Sequence, residues 1–205
     1  SDTRYEYDQY GNAIKTCAYK AYGTLNVTPT GGLCSEATYD TTVYTYPVES
    51  KNPLEQISTS TYIYQLGLPY QSTDPNGWTT STTYDRLGRT LSVTPPGLPG
   101  GKAGVKYTYP PVVNDAVSSP YNVMMELYDG TVNNYRGVWG IYDGMGRMLE
   151  TQTWDSDRGE LLISESQFNA QGLVSRQSLP YYAVGTGGVR VGNANQFTDT
   201  FDDAA

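Results

Sequence analysis

The sequence predicts an all-β chain of antiparallel hairpins laid side by side, and three observations carry that prediction. No window of about eleven or more residues keeps apolar positions at helical spacing without a Gly or Pro inside it, so an amphipathic helix has nowhere to form. Short segments with alternating side chains recur along the chain. Between them stand clusters of Gly, Pro, Asn and Asp, which turn a chain back on itself.

In chain order, the alternating segments are Tyr5-Glu6-Tyr7, Leu25-Asn26-Val27-Thr28, Val43-Tyr44-Thr45-Tyr46, Thr61-Tyr62-Ile63-Tyr64 and Lys106-Tyr107-Thr108-Tyr109. Each is predicted to be a strand with its bulky residues on one face and its small polar residues on the other. The strongest turn signals are Asp74-Pro75-Asn76-Gly77, Pro95-Pro96-Gly97 and Gly185-Thr186-Gly187-Gly188, where Pro fixes φ and Gly supplies positive φ. Composition agrees, with 20 Tyr against 3 Phe and 3 Trp, because tyrosine suits a half-buried pleated surface whose ring packs while its hydroxyl stays wet. All 205 residues read as a single sheet region, with a flexible loop over 95–104, a second loop near 113–120 and an acidic tail over 199–205.

An internal repeat carries the most information. Tyr84-Asp85-Arg86-Leu87-Gly88-Arg89 recurs as Tyr142-Asp143-Gly144-Met145-Gly146-Arg147, and a looser copy runs Tyr7-Asp8-Gln9-Tyr10-Gly11-Asn12. Degenerate copies begin at Tyr19, with Gly23, and at Phe168, with Gly172. Tyr64 and Gly77 precede Tyr84 and Gly97 by about 20 residues each, the length of one hairpin. In this motif the aromatic ends a strand, the Asp side chain caps the turn amides, and the Gly takes the left-handed position. These residues are therefore assigned to holding hairpins and not to chemistry.

Composition narrows the function classes. Histidine is absent, which removes the commonest general base and metal ligand, so any catalysis would rest on carboxylates. No catalytic residue, cofactor or metal site is assigned, and the chain is read as not an enzyme. A net charge of -8 with scattered basic residues argues against nucleic acid as a partner. No apolar run reaches the ~18 residues of a membrane-spanning helix. The two cysteines, Cys17 and Cys34, are spaced so that a disulfide can close between them, and a free pair fits equally well. The acidic groups Asp155-Ser156-Asp157 and Asp199 to Asp203 carry calcium-type ligands but match no EF-hand spacing, and they read as solvated loop and tail. The start, Ser1-Asp2-Thr3-Arg4-Tyr5, reads as the middle of a strand and suggests a fragment or processed product.

The two fuller copies, 84–89 and 142–147, resemble the YD repeat of the Rhs family, and the likeness extends over most of the chain from Tyr5 to Tyr182. Arg176-Gln177-Ser178-Leu179-Pro180-Tyr181-Tyr182 resembles the branch formed by the cocoon subunits of insecticidal Tc toxins. The resemblance implies a continuous curved or spiralling sheet, part of a hollow shell with stacked tyrosines, and a secreted or extracellular setting. That setting favours a bridge between Cys17 and Cys34. A chain of this size would supply about eight to twelve strands of such a shell. Asp74-Pro75 is superficially similar to the self-cleaving segment of the family but lies mid-chain within a repeat, and reads as a turn.

The functional expectation is a structural, non-catalytic segment of an encapsulating shell, whose partners are neighbouring repeat strands of the same or another chain. Two alternatives stand beside it. One is an extracellular subunit that self-associates edge to edge into a filament, tube or sheath. The other is a carbohydrate-binding surface, with glycans stacked on Trp78, Trp139 and Trp154.

Overall fold

A computed structural model describes residues 2–23, 27, 30–111, 120–130, 135–192 and 197–199. The chain divides into two compact units, 1–102 and 103–205, and the division falls inside the stretch read from sequence as a loop. Unit 1 holds β1 (Asp2–Tyr7), β2 (Ala13–Tyr19), β3 (Leu33–Tyr39), β4 (Pro47–Lys51), β5 (Ile57–Ile63), β6 (Leu68–Thr73), β7 (Thr79–Tyr84) and β8 (Thr90–Thr94). Unit 2 holds β9 (Val105–Thr108), β10 (Tyr121–Tyr128), β11 (Tyr135–Tyr142), β12 (Met148–Asp155), β13 (Glu160–Phe168), β14 (Val174–Ser178), β15 (Tyr181–Ala183) and β16 (Phe197–Asp199). Among the described residues the one helical element is a 3-10 turn at Pro99–Gly101. The fold is all-β, and every pairing within each unit is antiparallel.

Within unit 1 each strand pairs with the next in the chain, from β1 through β8, so the sheet is a plain meander. Unit 2 follows the same order from β9 to β13. There the long β13 is shared, pairing with β15 over Leu161–Ile163 and with β14 over Ser166–Phe168. The antiparallel ladder slips by one residue at six places, and each time an aromatic residue sits at the slip: Tyr7, Tyr39, Tyr62, Tyr84, Tyr142 and Phe168. A slip of this kind is a β-bulge, which bends the strand and re-aims a side chain.

Five of these re-aimed rings reach back to the hairpin before them. Tyr84 donates its hydroxyl to Pro69 O at 2.7 Å, and Tyr39 donates to Ala13 O at 3.4 Å. Tyr142 stacks on Tyr121 at 5.4 Å, Tyr62 on Tyr46 at 4.9 Å, and Phe168 lies 4.9 Å beneath the guanidinium of Arg147. Five of the six bulges thus tie one hairpin to the preceding one; at the first, Tyr7 stacks on Tyr5 of its own strand at 6.2 Å.

Two strand predictions are corrected. Val43 to Tyr46 is a loop, because five consecutive amides from Thr42 to Tyr46 turn inward onto the Asp40 carboxylate instead of joining a ladder. Tyr64 lies in a turn beyond Ile63, where β5 ends. The sixteen strands among the described residues exceed the eight to twelve expected, because runs of three to five residues such as β15, β16, β4 and β8 have no alternation long enough to stand out. Leu25, Asn26 and Thr28, the loop residues 113–119 and the tail 200–205 lie outside the described residues.

Burial separates the two units. In unit 1 Cys17 and Asp40 are the buried side chains among the described residues, and its described strands form a single layer. Unit 2 buries Ile141, Leu161 and Ile163 together with Glu150, Gln152, Glu165 and Ser178. Residues 185–192 lie across this face as a strap. Gly187 lets the strap lie flat, since a Cβ there would stand 2.5 Å from the Trp139 ring.

Candidate functional site

The feature that recurs across the molecule is one turn, built six times from an Asp or Asn. At Asp8, Asn52, Asp74, Asp85, Asp143 and Asn169 the backbone amide bonds the carbonyl four residues on, and its own carbonyl accepts the amide three residues on. One side-chain oxygen then accepts the amides two and four residues on, at 2.9–3.0 Å throughout. The third residue after the Asx must adopt positive φ, and Gly11, Gly77, Gly88, Gly146 and Gly172 do so at 78–89°. At Asn52 that position is Glu55, one of two non-glycine residues with positive φ among the described residues. This is a type I turn closed by a left-handed residue, a common connection between antiparallel strands.

The fourth residue after the Asx usually closes the turn. Arg89 places Nε 2.6 Å from Asp85 Oδ2, Arg147 places Nε 2.7 Å from Asp143 Oδ2, and Asn12 donates from Nδ2 to Asp8 Oδ2 at 2.9 Å. Gln56 accepts from Asn52 Nδ2 at 2.7 Å. For Asp143 the Arg147 amide and guanidinium hold the carboxyl below its ordinary value against the opposing effect of burial. Burial is the largest influence on Asp85 and Asp8 and favours the neutral acid, but amide and side-chain hydrogen bonds outweigh it and lower both.

Asp40 extends the same chemistry. Its Oδ2 accepts the Thr42, Val43 and Tyr44 amides and its Oδ1 those of Thr45 and Tyr46, with Val43 closest at 2.6 Å. Burial opposes ionisation here too, yet the amides of Val43, Tyr46, Thr45 and Thr42 hold the carboxyl far below the usual range. The loop also seats Tyr44 against Tyr10, with ring centroids 4.2 Å apart.

A second polar cluster anchors the strap of unit 2. Glu150 and Glu165 face each other across β12 and β13, both buried. Glu150 accepts Gln152 Nε2 at 2.6 Å, Val191 N at 3.2 Å and Gly192 N at 3.2 Å. Gln152 accepts Gly188 N at 2.8 Å and donates to Val189 O at 2.6 Å, while Asn122 donates to Gly188 O at 3.0 Å. Tyr181 donates to Glu165 Oε1 at 2.5 Å, and Ser178 Oγ accepts the Glu165 amide at 2.8 Å. The carboxylates are occupied by the strap's backbone and by neighbouring side chains.

The predicted residues fall as follows. Tyr7, Asp8 and Gly11, Tyr84, Asp85, Gly88 and Arg89, and Tyr142, Asp143, Gly146 and Arg147 build three of the six turns; Phe168 precedes a fourth and Gly172 is its left-handed residue. Tyr19 ends β2, and the amide of Gly23 reaches Asp2 Oδ2 at 3.4 Å, while Thr24 and Leu25 lie outside the described residues. Cys17 and Cys34 face each other across β2 and β3 and are joined as a disulfide. Asp155 accepts the Asp157 and Arg158 amides and the Tyr182 hydroxyl, so it caps a turn of its own. No group of three or more potential metal ligands occurs among the described residues, and no described helix is long and apolar enough to cross a membrane.

No protein-family model and no curated protein matches the sequence. Solved structures do. The crystal structure of TcdB2-TccC3 aligns over 88% of this chain with a TM-score of 0.64 and 16% identity. TcdB2-TccC3 without its hypervariable C-terminal region aligns over 88% with a TM-score of 0.66 and 13% identity. This chain shares the fold of those proteins. It spans only 11% of the first and 13% of the second, so it corresponds to one stretch of a much longer TcdB2-TccC3 chain.

Two of the six turns escaped the sequence motif. Asp74-Pro75-Asn76-Gly77 reads as a turn but follows Thr73, and Asn52-Pro53-Leu54-Glu55 follows Lys51 and lacks the Gly. Both carry Pro immediately after the Asx, which presets φ for a type I turn and is the signal that finds them. Neither has a ladder slip beside it, in keeping with the missing aromatic. The buried row of Glu150, Gln152 and Glu165 reads in sequence as an ordinary solvated strand face.

Proposed function

We propose that this chain is a non-catalytic stretch of wall in a secreted, Rhs-type encapsulating shell. One observation carries the reading. Unit 1 is an eight-strand meander that stands as a single layer, its hairpins held by turn carboxylates and bulge aromatics instead of by a second packed layer. A free-standing domain normally buries one face of a sheet against another layer. A wall does not require one. The shared fold with an 11–13% stretch of TcdB2-TccC3 chains supports the same reading, as does the engagement of the turn and strap carboxylates with amides.

Sequencing the reading frame beyond residue 205 tests it. More hairpin repeats followed by a dissimilar terminal domain are expected; a frame that ends without any such domain would sink the proposal. A second reading is edge-to-edge assembly of copies, with strand edges pairing from one copy to the next. A monodisperse monomer in sedimentation velocity would count against that alternative.

A further inference from the structure

Among the six Asx turns, four are closed by the side chain at the fourth position and two, at Asp74 and Asn169, carry an apolar or aromatic residue there, Trp78 and Leu173; only Trp78 brings an aromatic ring. At the fourth position Asn12, Gln56, Arg89 and Arg147 each turn back to satisfy the second side-chain atom of the Asx. At Asp74 that position is Trp78. Its amide is pinned to Asp74 Oδ1 at 2.9 Å and its carbonyl accepts the Asp74 amide at 2.9 Å, so the backbone is as fixed as in the other turns. Its ring is nevertheless 55% exposed, and Asp74 Oδ2 is left with Asn76 Nδ2 at 3.4 Å. The turn carries an exposed indole on a fixed backbone in place of a closing partner.

That indole borders a groove of about 280 Å³ in unit 1, floored by Ser58, Ser60, Ser72 and Thr80 and lined by Asp74. Ser60 and Ser72 share one hydrogen bond at 3.2 Å, so the pair keeps donor and acceptor capacity for a ligand. Ser58 also lines a separate neighbouring groove of about 320 Å³ over β2 to β5, which carries Lys51 and Glu36. Gly97 lies under the ring at 3.8 Å from where a Cβ would stand, leaving the rim low on that side. The Trp78 groove is thus an aromatic platform beside a lane of small hydroxyls, with one carboxylate and no cation among its lining residues.

We infer that the Trp78 groove binds a short neutral saccharide, its ring stacked on the indole and its hydroxyls bonded to the serines and to Asp74. The absence of a basic lining residue disfavours phosphorylated or acidic sugars, and the row of hydroxyls and the carboxylate disfavour an apolar ligand. The inference does not rest on the shell proposal.

The experiment titrates the whole chain with hexaoses of glucose (β1,4 and α1,4), mannose and N-acetylglucosamine, read by calorimetry and by tryptophan fluorescence. At least one should bind at millimolar concentration or below. Trp78→Ala should weaken that binding roughly tenfold or more, Trp78→Phe should retain part of it, and far-UV circular dichroism should be unchanged in both. Failure of every hexaose to bind overturns the inference. So does binding that survives Trp78→Ala in a folded protein. Quenching of Trp78 by a Gly/Ser-rich peptide, with no hexaose binding, would also overturn it in favour of a peptide lane.

Discussion

Replacing Glu150 by Ala should be among the most damaging single changes in unit 2. The side chain is 1% exposed and accepts three protein donors, Gln152 Nε2, Val191 N and Gly192 N. Alanine leaves all three without an acceptor beneath the strap. At about 1 kcal/mol for each orphaned donor, the lower end of the usual range, the loss comes to about 3 kcal/mol. For a cooperative unit of this size that is a fall of about 12 °C or more in Tm. Glu150→Gln has the same shape but one acceptor oxygen, so it keeps Gln152 or the strap amides but not all of them. It also removes one of two carboxylates that face each other across β12 and β13. Its cost should therefore be smaller, about 1 kcal/mol. Urea unfolding gives the stabilities, and hydrogen exchange at Val191 and Gly192 locates the damage. The reasoning fails if Glu150→Ala costs less than about 0.5 kcal/mol, or if exchange in the strap does not rise above that of the wild type.

Three further outcomes follow from the turns and the disulfide. Gly146→Ala, at φ 79°, should destabilise by about 1 kcal/mol, whereas Glu55→Gly, at φ 63°, should stabilise by a similar amount; chemical denaturation would show the opposite signs. Reducing Cys17–Cys34, which closes a loop of 17 residues, should lower the stability of unit 1 by about 3 kcal/mol, measured by urea melts with and without a thiol reductant. Asp8, Asp40, Asp85, Asp143 and Asp155 all have lowered folded-state values, so their contribution is complete above the unfolded value of roughly 3.9 and drains away as pH falls through it toward the folded values. Thermal melts should be flat in this respect from pH 7 to about pH 5 and decline steeply below about pH 4.

The hairpin order was legible because the repeat puts three chemically distinct requirements next to one another: a ring, a carboxylate and a glycine. Tyr84-Asp85 with Gly88, and Tyr142-Asp143 with Gly146, announce both the turn and the bulge beside it. Asn52 with Glu55 was not legible, since its left-handed residue has a side chain and nothing local declares the strain. The 43–46 segment misled for a related reason. Its alternation is that of a strand, but the acceptor that captures its amides, Asp40, lies outside the alternating run. Trp78 was visible as an aromatic, but its meaning depends on the partner its position normally supplies to the turn, which only the six turns side by side reveal. Glu150 and Glu165 were hidden because the strap that buries them comes from residues 188–192, far along the chain.

The most direct test of the shell proposal is cryo-electron microscopy of the complete polypeptide that contains these residues. The account predicts a hollow particle whose wall includes the β1–β8 meander as a single layer, with one face toward the enclosed space. A solid globular particle in which that sheet is covered on one face by a second layer of the same chain would contradict it.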